Sequence, residues 1–223
     1  MKKFLFIFLP FFVFAGFLDN FSTNYNYKSL VNSAVNQAVN ELSKGFIKNQ
    51  LAKIDLPPSL EIAAKLSKKF GGEKWANEII TSMNEAATKA VPSAANVFKN
   101  CIKNMNQNDV KKIIQGGSFT QFLQKNSSKQ LNKVFSPIIS EMMSKNRFAT
   151  AYNGLNSYIK NSQNVKNAKK ILNQFSNNAF DDEDLNAYIT RKTLDGLFNV
   201  MQDKEKSLRD NSISKTIGKI FGK

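Results

Sequence analysis

The sequence predicts an all-α fold, a compact single domain of about eight or nine helices with no β-sheet. Apolar residues recur at i, i+3 and i+4 in one segment after another, as they do on the buried face of a helix. No segment alternates apolar and polar residues over the length of a strand. The one Asp-Gly pair, Asp195-Gly196, lies inside a helical pattern. No internal repeat or long heptad run indicates a solenoid or a coiled coil.

The N-terminus has the pattern of a secretory signal peptide. Lys2 and Lys3 precede an apolar run, residues 4–14, which is too short to cross a bilayer of ~30 Å as a helix. We therefore expect residues 1–15 to be removed by cleavage before Gly16; a retained N-terminal membrane anchor is the alternative. The protein is then exported, periplasmic or secreted, and residues 16–223 form one domain without a transmembrane helix.

Prolines and glycine pairs divide the first half of that domain into helices. Pro57 and Pro58 form a connector, because the residue before a proline avoids the helical region, and Gly71-Gly72 ends the helix that follows. The predicted helices are Lys28–Leu51, Ser59–Phe70, Glu73–Pro92 and one that runs through residues 97–105.

Serine and asparagine caps divide the second half. A short helix over residues 110–114 is capped by Asn108, the next element by Ser118, and another by Ser127 or Ser128, with Pro137 bending or dividing it. Two further helices are predicted at Arg147–Ile159 and Asp181–Arg209. Between them, Lys160–Asn178 is predicted to be a mobile loop with one short helix, and at the C-terminus Ser212 caps a possible amphipathic tail, residues 213–223.

The Asp181–Arg209 segment is predicted to be the central packing helix. The four acidic residues at 181–184 suit the positive end of a helix dipole better than a calcium loop, because they lack the spaced ligands and the turn glycine. Gly196 lies in the middle of this helix, where glycine makes the helix less stable by about 1 kcal/mol than alanine would. A close neighbour offsets this cost, and the alanine-rich face of Met83–Pro92 is the predicted partner.

The chain is strongly basic, with a net charge of +15. Lysine supplies 29 of the 32 basic residues, whereas nucleic-acid and phosphate sites with bidentate geometry favour arginine, so nucleic acid is not an expected partner. Residues 16–180 carry a net charge of +13 and residues 181–223 carry none. Such a body could attract anionic lipid or an envelope polyanion, or the lysines could serve solubility alone.

The composition lacks residue types on which the common catalytic sites depend. The chain has no histidine, so it lacks the usual general base and the usual metal ligand, and its one cysteine, Cys101, is expected to be buried and inert. No phosphate-binding glycine motif occurs. We therefore expect no catalytic residue, no metal and no cofactor.

A set of short segments, spread in one order over nearly the whole chain, carries a family resemblance. They are 54–57, 83–87, 90–92, Asp109, 113–114, 116–117, Phe135, 137–139, 184–185, 188–190, Lys192, 194–198, Glu205, Arg209, Lys219 and Phe221. In these segments the chain resembles the exported bacterial proteins grouped as domain of unknown function 4197. The residues around 178–180 and Val110 depart from the family pattern. The resemblance implies an exported helical protein and supplies no catalytic residue.

A small set of polar residues and one glycine within these segments forms the candidate site. Either they line a cleft between the Met83–Pro92 and Asp181–Arg209 helices, or they tie packed helices together. The candidates are Asn84, Glu85, Asp109, Tyr188, Asp195, Gly196, Glu205 and Arg209.

Three functions remain open. A non-enzymatic binding module for an apolar ligand is favoured by the many phenylalanines and methionines, although these could simply fill the core. An envelope interaction or structural protein would use the basic body and the tail to contact anionic lipid or another envelope component. A hydrolase without histidine would need two of Glu85, Asp109 and Asp195 close together in an open cleft.

Overall fold

The structure is a computed structural model, and it describes residues 24–58, 60–61, 64–65, 73–145, 147–161 and 182–220. Within these ranges the chain forms helices and turns and contains no strand, so the all-α prediction is confirmed. The predicted count of eight or nine helices is not confirmed by these ranges. The signal segment and most of the predicted 160–178 loop lie outside them, as do most residues of the predicted Ser59–Phe70 helix.

The first helix, α1, spans Asn24–Leu42 and buries the predicted apolar stripe. It ends nine residues before the predicted Leu51, because Gly45 adopts a φ of +141°, a conformation outside the helical region. A 3₁₀ turn at Phe46–Lys48 follows, and the chain then runs without a helix through Pro57. We call residues 46–56 the inserted segment.

The next helices are separated near the predicted proline, glycine and capping residues. Helix α2 spans Glu73–Ala90, a 3₁₀ turn covers Val91–Ser93, α3 spans Ala94–Lys103 and α4 spans Gln107–Ile114. The N-cap of α4 is Asn106 rather than the predicted Asn108, because Asn106 and Asp109 form a reciprocal capping box.

A single long helix, α5, spans Phe119–Lys145. Ser118 caps it as predicted, accepting a hydrogen bond from the N–H of Gln121 at 3.2 Å. The predicted new start at Ser127 or Ser128 is wrong. Their hydroxyls donate to the carbonyls of Leu123 and Gln124 one turn earlier, which satisfies them inside the helix. Pro137 is accommodated within α5 and does not divide it.

Two helices complete the described chain. Helix α6 spans Phe148–Asn161, close to its prediction, and α7 spans Asp182–Ile220. Because α7 continues through Ser212, that residue does not cap a separate tail, and residues 213–220 extend the same helix.

The helices pack around α5, which contacts α2, α3, α6 and α7. The predicted central helix, α7, contacts α1, α2 and α5, so it is one wall of the bundle and α5 is its centre. Three phenylalanines, Phe46, Phe98 and Phe135, are fully buried and fill the core. Among the described helices, none is long and apolar enough to cross a membrane.

Candidate functional site

Asn84 of α2 is buried, and its side chain holds the backbone of the inserted segment. The N–H of Ile54 donates to Asn84 Oδ1 at 2.9 Å, and Asn84 Nδ2 donates to the Ile54 carbonyl at 2.8 Å. Nδ2 also donates to the carbonyl of Ile80 at 2.7 Å. Since Ile54 is buried and belongs to no helix, its polar backbone groups need such partners. Asn84 therefore acts as a structural tie.

Thr88, one turn further along α2, extends this tie. Its Oγ1 accepts a hydrogen bond from the N–H of Phe46 at 2.9 Å and donates to the carbonyl of Asn84 at 2.7 Å. One face of α2 thus holds both ends of the inserted segment.

Helix α7 holds the same segment from its other side. A Cβ on Gly196 would lie 2.8 Å from Ala52 Cα and 2.9 Å from Phe46 Cε1, which is closer than real Cβ atoms approach other atoms. The Tyr188 hydroxyl donates to the carbonyl of Asp55 at 3.0 Å, and Asn199 Nδ2 donates to that of Leu51 at 3.2 Å. The inserted segment therefore bridges α2 and α7.

This arrangement corrects one prediction and bears on the two alternatives for the candidate site. Gly196 is in close contact with a neighbour, as predicted, but the nearest atoms belong to Ala52 and Phe46 rather than to the Met83–Pro92 face. At Asn84, Tyr188 and Gly196 the contacts are those of the second alternative, residues that tie packed elements together, because the inserted segment lies between α2 and α7. The sequence could not show this, since the ties are made to backbone atoms, which every residue type shares.

Glu205 and Arg209 form a second tie, between α7 and the start of α5. Glu205 is buried, and its carboxylate accepts the N–H groups of Phe119 and Thr120, each at 3.0 Å, and the Ser118 hydroxyl at 2.6 Å. Arg209 Nη2 donates to Glu205 Oε1 at 2.8 Å and to the carbonyl of Gly117. The carboxylate therefore occupies the positive end of the α5 dipole.

Two opposing effects set the pKa of the Glu205 carboxyl. Burial raises it, while hydrogen bonds from Ser118, Arg209 and Thr120 lower it, and the net pKa lies below the ordinary value. Tyr27 of α1 lies near this pair: burial raises the pKa of its phenol, Arg209 lowers it and Glu205 raises it. Glu205 and Arg209, four residues apart on α7, form an ion pair that joins α7 to the start of α5.

The three carboxylates of the hydrolase hypothesis lie in different places. Glu85 is exposed on α2, Asp109 is used in the α4 capping box, and Asp195 is exposed on α7, where its Oδ2 lies 3.9 Å from Nη1 of Arg191. None of the three described grooves contains two of them. In the part of the chain that the structure describes, no cluster of three histidine, cysteine or acidic side chains could hold a metal ion.

The largest described groove, about 760 Å³, lies between α3 and α5, away from both ties. Its polar wall consists mainly of side-chain amides, and its apolar wall contains Val97, Phe122 and Val134. We call it the amide groove. The amide residues are Asn96, Asn100, Asn104, Asn126 and Gln130.

These amides are free to bind a ligand. Asn96, Asn100, Asn104 and Gln130 are exposed and make no side-chain hydrogen bond with another described residue. Asn126 uses one N–H for the carbonyl of Phe122 at 2.7 Å, which leaves its oxygen and its other N–H available. The sequence prediction missed this site, although the four-residue spacing of Asn96, Asn100 and Asn104 already places them on one side of a helix.

Cys101 lies in the amide groove and is half-buried rather than fully buried as predicted. Burial, and to a smaller extent the nearby Asp109, raises the pKa of its thiol. A raised pKa keeps the sulfur protonated and slow to react at neutral pH, in keeping with the prediction of low reactivity.

A second groove, about 560 Å³, lies between α5 and α7. Tyr188, Leu194 and Phe198 line it together with Arg191 and Asp195. A third, about 410 Å³, shares Asp195 and Phe198 with the second. Tyr188 and Asp195 are thus the two candidate residues that meet in one groove, whereas Asp109 alone reaches the amide groove.

A comparison with protein families matches residues 18–222 to the family described as "Protein of unknown function (DUF4197)". No curated protein and no solved structure matches the chain. The match covers every residue that the structure describes.

Proposed function

The chain belongs to the DUF4197 family, and we propose that it is an exported, non-enzymatic binding protein that holds its ligand in the amide groove. The observation that carries the proposal is the row of exposed amides on the facing sides of α3 and α5, four of which make no side-chain hydrogen bond with another described residue. An amide side chain both donates and accepts, so such a row recognises a ligand with many polar groups. Export rests on the predicted signal segment.

Rigid walls support binding at this groove. Helices α3 and α5 pack directly on each other, and Phe98 and Ile102 anchor α3 in the core. Sites on packed helices keep their geometry better than sites on loops, which lowers the entropic cost of binding. The ties at Asn84 and Glu205 lie elsewhere and are left to stabilise the fold.

The non-enzymatic part of the proposal rests on composition. The chain has no histidine, and Asp109, the one carboxylate in the amide groove, already serves the α4 capping box. Glycoside hydrolysis by carboxylates needs two of them, and the lining of this groove contains a single carboxylate, that of Asp109.

Cys101 provides the test, because a ligand in the groove covers its thiol. The rate of Cys101 modification by a thiol reagent is measured at mildly alkaline pH, with and without the soluble polymer fraction of the cell envelope. We expect the envelope fraction to slow the reaction. A control variant, Cys101→Ser with Asn77→Cys on the exposed side of α2, should react at an unchanged rate. Equal slowing of both thiols, or of neither, would contradict binding in the groove.

An apolar ligand is a second candidate, favoured by the second groove, where Tyr188, Leu194 and Phe198 provide an apolar wall. Native mass spectrometry of protein purified from the periplasm tests it. The candidate predicts a bound lipid that Leu194→Gln removes and Asn100→Ala retains. Recovery of ligand-free protein that takes up no added fatty acid would exclude it.

A further inference from the structure

One edge of the amide groove is a row of lysines on α5. Lys125, Lys129 and Lys133 are spaced by four residues and exposed, so they form one ridge about 12 Å long. On the helix surface this ridge lies beside Asn126 and Gln130, which line the groove.

The opposite edge carries lysines as well. Lys99 and Lys103 on α3 are exposed and four residues apart. They stand beside Asn96 and Asn100, on the solvent side of the groove wall. Both edges of the groove are therefore positively charged.

These lysines belong to a part of the chain that carries little acidic charge to offset them. Lys53, Lys145 and Lys204 each pair with a carboxylate. The five lysines at the groove edges form no ion pair with any described residue. Residues 94–134 contain seven lysines, no arginine and a single acidic residue, Asp109. The groove therefore has a positive potential that extends over about 8 Å at physiological ionic strength.

We propose that the amide groove binds an anionic glycan, a polyhydroxylated chain that carries carboxylate, sulfate or phosphate groups. This inference rests on the proposed function and names the class of its ligand. A sugar hydroxyl both donates and accepts hydrogen bonds, and a side-chain amide offers a donor NH₂ and an acceptor oxygen, so the amides of the groove match a run of hydroxyls. The lysine edges match the spaced anionic groups.

Other polyanions fit the groove less well. Nucleic-acid recognition favours the planar, bidentate guanidinium, and residues 94–134 contain no arginine. An acidic peptide needs pockets for its side chains, whereas the exposed surface here consists largely of amides, with the half-buried Phe122 as a face for a sugar ring. A membrane surface is flat, whereas the amides line a groove between α3 and α5, so a chain that lies along the groove contacts more of them.

Affinity measurements by calorimetry test the proposal with four probes. They are polygalacturonate, neutral dextran, poly-glutamate and phosphatidylglycerol vesicles. The edge variant is Lys129→Glu/Lys133→Glu. The floor variant is Asn100→Ala/Asn126→Ala, which removes two of the amides that line the groove. A charge-matched control, Lys48→Glu/Lys89→Glu, changes two exposed lysines that lie on neither α3 nor α5. All substitutions are at exposed positions, and circular dichroism checks that each variant is folded.

We expect polygalacturonate to bind most tightly, in a salt-sensitive manner. The edge and floor variants should each weaken it about tenfold or more, and the control much less. If neutral dextran binds as tightly as polygalacturonate, and the edge variant does not change this affinity, the ligand is not anionic. That result would overturn the anionic glycan and leave the proposed function in place. Tighter binding of poly-glutamate or vesicles, unaffected by the floor variant, would overturn the glycan. If the floor variant binds every probe as the wild type does, the proposed function fails as well.

Discussion

Asn84 satisfies both backbone groups of Ile54, accepting from its N–H at 2.9 Å and donating to its carbonyl at 2.8 Å. One side chain thus replaces the two hydrogen bonds that a neighbouring strand would supply. This lets a segment that belongs to no helix pack between the helices of an all-helical protein. Asn84, Tyr188, Glu205 and Arg209 are all used in such ties between packed elements.

Replacing Asn84 with alanine should lower the free energy of unfolding by about 2–4 kcal/mol, because each buried group that loses its partner costs about 1–3 kcal/mol. Chemical denaturation measures the change. The exposed neighbour provides the control: Glu85→Ala should alter stability by no more than about 0.5 kcal/mol. Equal effects of the two substitutions would show that the tie contributes nothing.

Gly196→Ala should destabilise the protein although alanine favours helices. The new methyl group would lie 2.8 Å from Ala52 Cα, and the backbone must move to accept it. Overpacking lowers the free energy of unfolding by about 1–3 kcal/mol, whereas the better helix propensity of alanine raises it by about 1 kcal/mol. We therefore expect a net decrease of up to about 2 kcal/mol. Thermal denaturation measures it, with Asp203→Ala on the exposed side of α7 as control. A gain of about 1 kcal/mol would contradict the close approach.

Much of the fold could be predicted from the sequence, for identifiable reasons. Helix type follows from local periodicity, and α2 and α6 begin and end close to their predicted limits. The wrong helix boundaries arise where the same residue pattern is compatible with two local structures. The apolar spacing of α1 continues to Phe46, so the sequence predicts a helix across the turn that the structure has at Gly45. Ser127 has the residue type of a helix cap, but its hydroxyl donates to a carbonyl within α5.

The site was harder to predict because it depends on which helices meet. The spacing of Asn96 and Asn100 is visible in the sequence, but their position opposite Gln130 follows only from the packing of α3 on α5. The partners of Asn84 and Gly196 are likewise distant in the chain and consist partly of backbone atoms.

Glu205 should make stability depend on acid pH. Its pKa is lowered in the folded state, so the unfolded chain takes up the proton at higher pH, and folding loses stability as pH falls below about 4.5, the ordinary glutamate value. Glu205→Gln should remove part of this acid dependence and cost about 2–4 kcal/mol at neutral pH, since charge-assisted hydrogen bonds contribute about 1.5–3 kcal/mol each and are not additive.

Denaturation curves recorded between acid and neutral pH measure this effect. Asp203→Asn, at an exposed position on the same helix, is the control and should follow the wild-type pH profile. If Glu205→Gln shows the full wild-type acid dependence, the carboxylate is not the group that couples folding to pH.

Gly154→Ala should disturb the single tryptophan. A Cβ at this position in α6 would lie 2.7 Å from the ring of Trp75, so the ring must move. We expect a red shift of tryptophan emission as the ring becomes more exposed, with a loss of about 1–3 kcal/mol from overpacking. Asn153→Ala, at the exposed neighbouring position, should leave the emission unchanged. An unshifted spectrum for Gly154→Ala would contradict the packing of α6 on Trp75.

The most direct test of the account is nuclear magnetic resonance of the side-chain amides during a titration with polygalacturonate. We predict that the resonances of Asn96, Asn100 and Gln130 shift together and saturate, while those of Asn132 and Asn199, which line the other two grooves, stay in place. Shifts centred on Asn132 and Asn199, or spread evenly over the surface, would show that the amide groove is not the binding site.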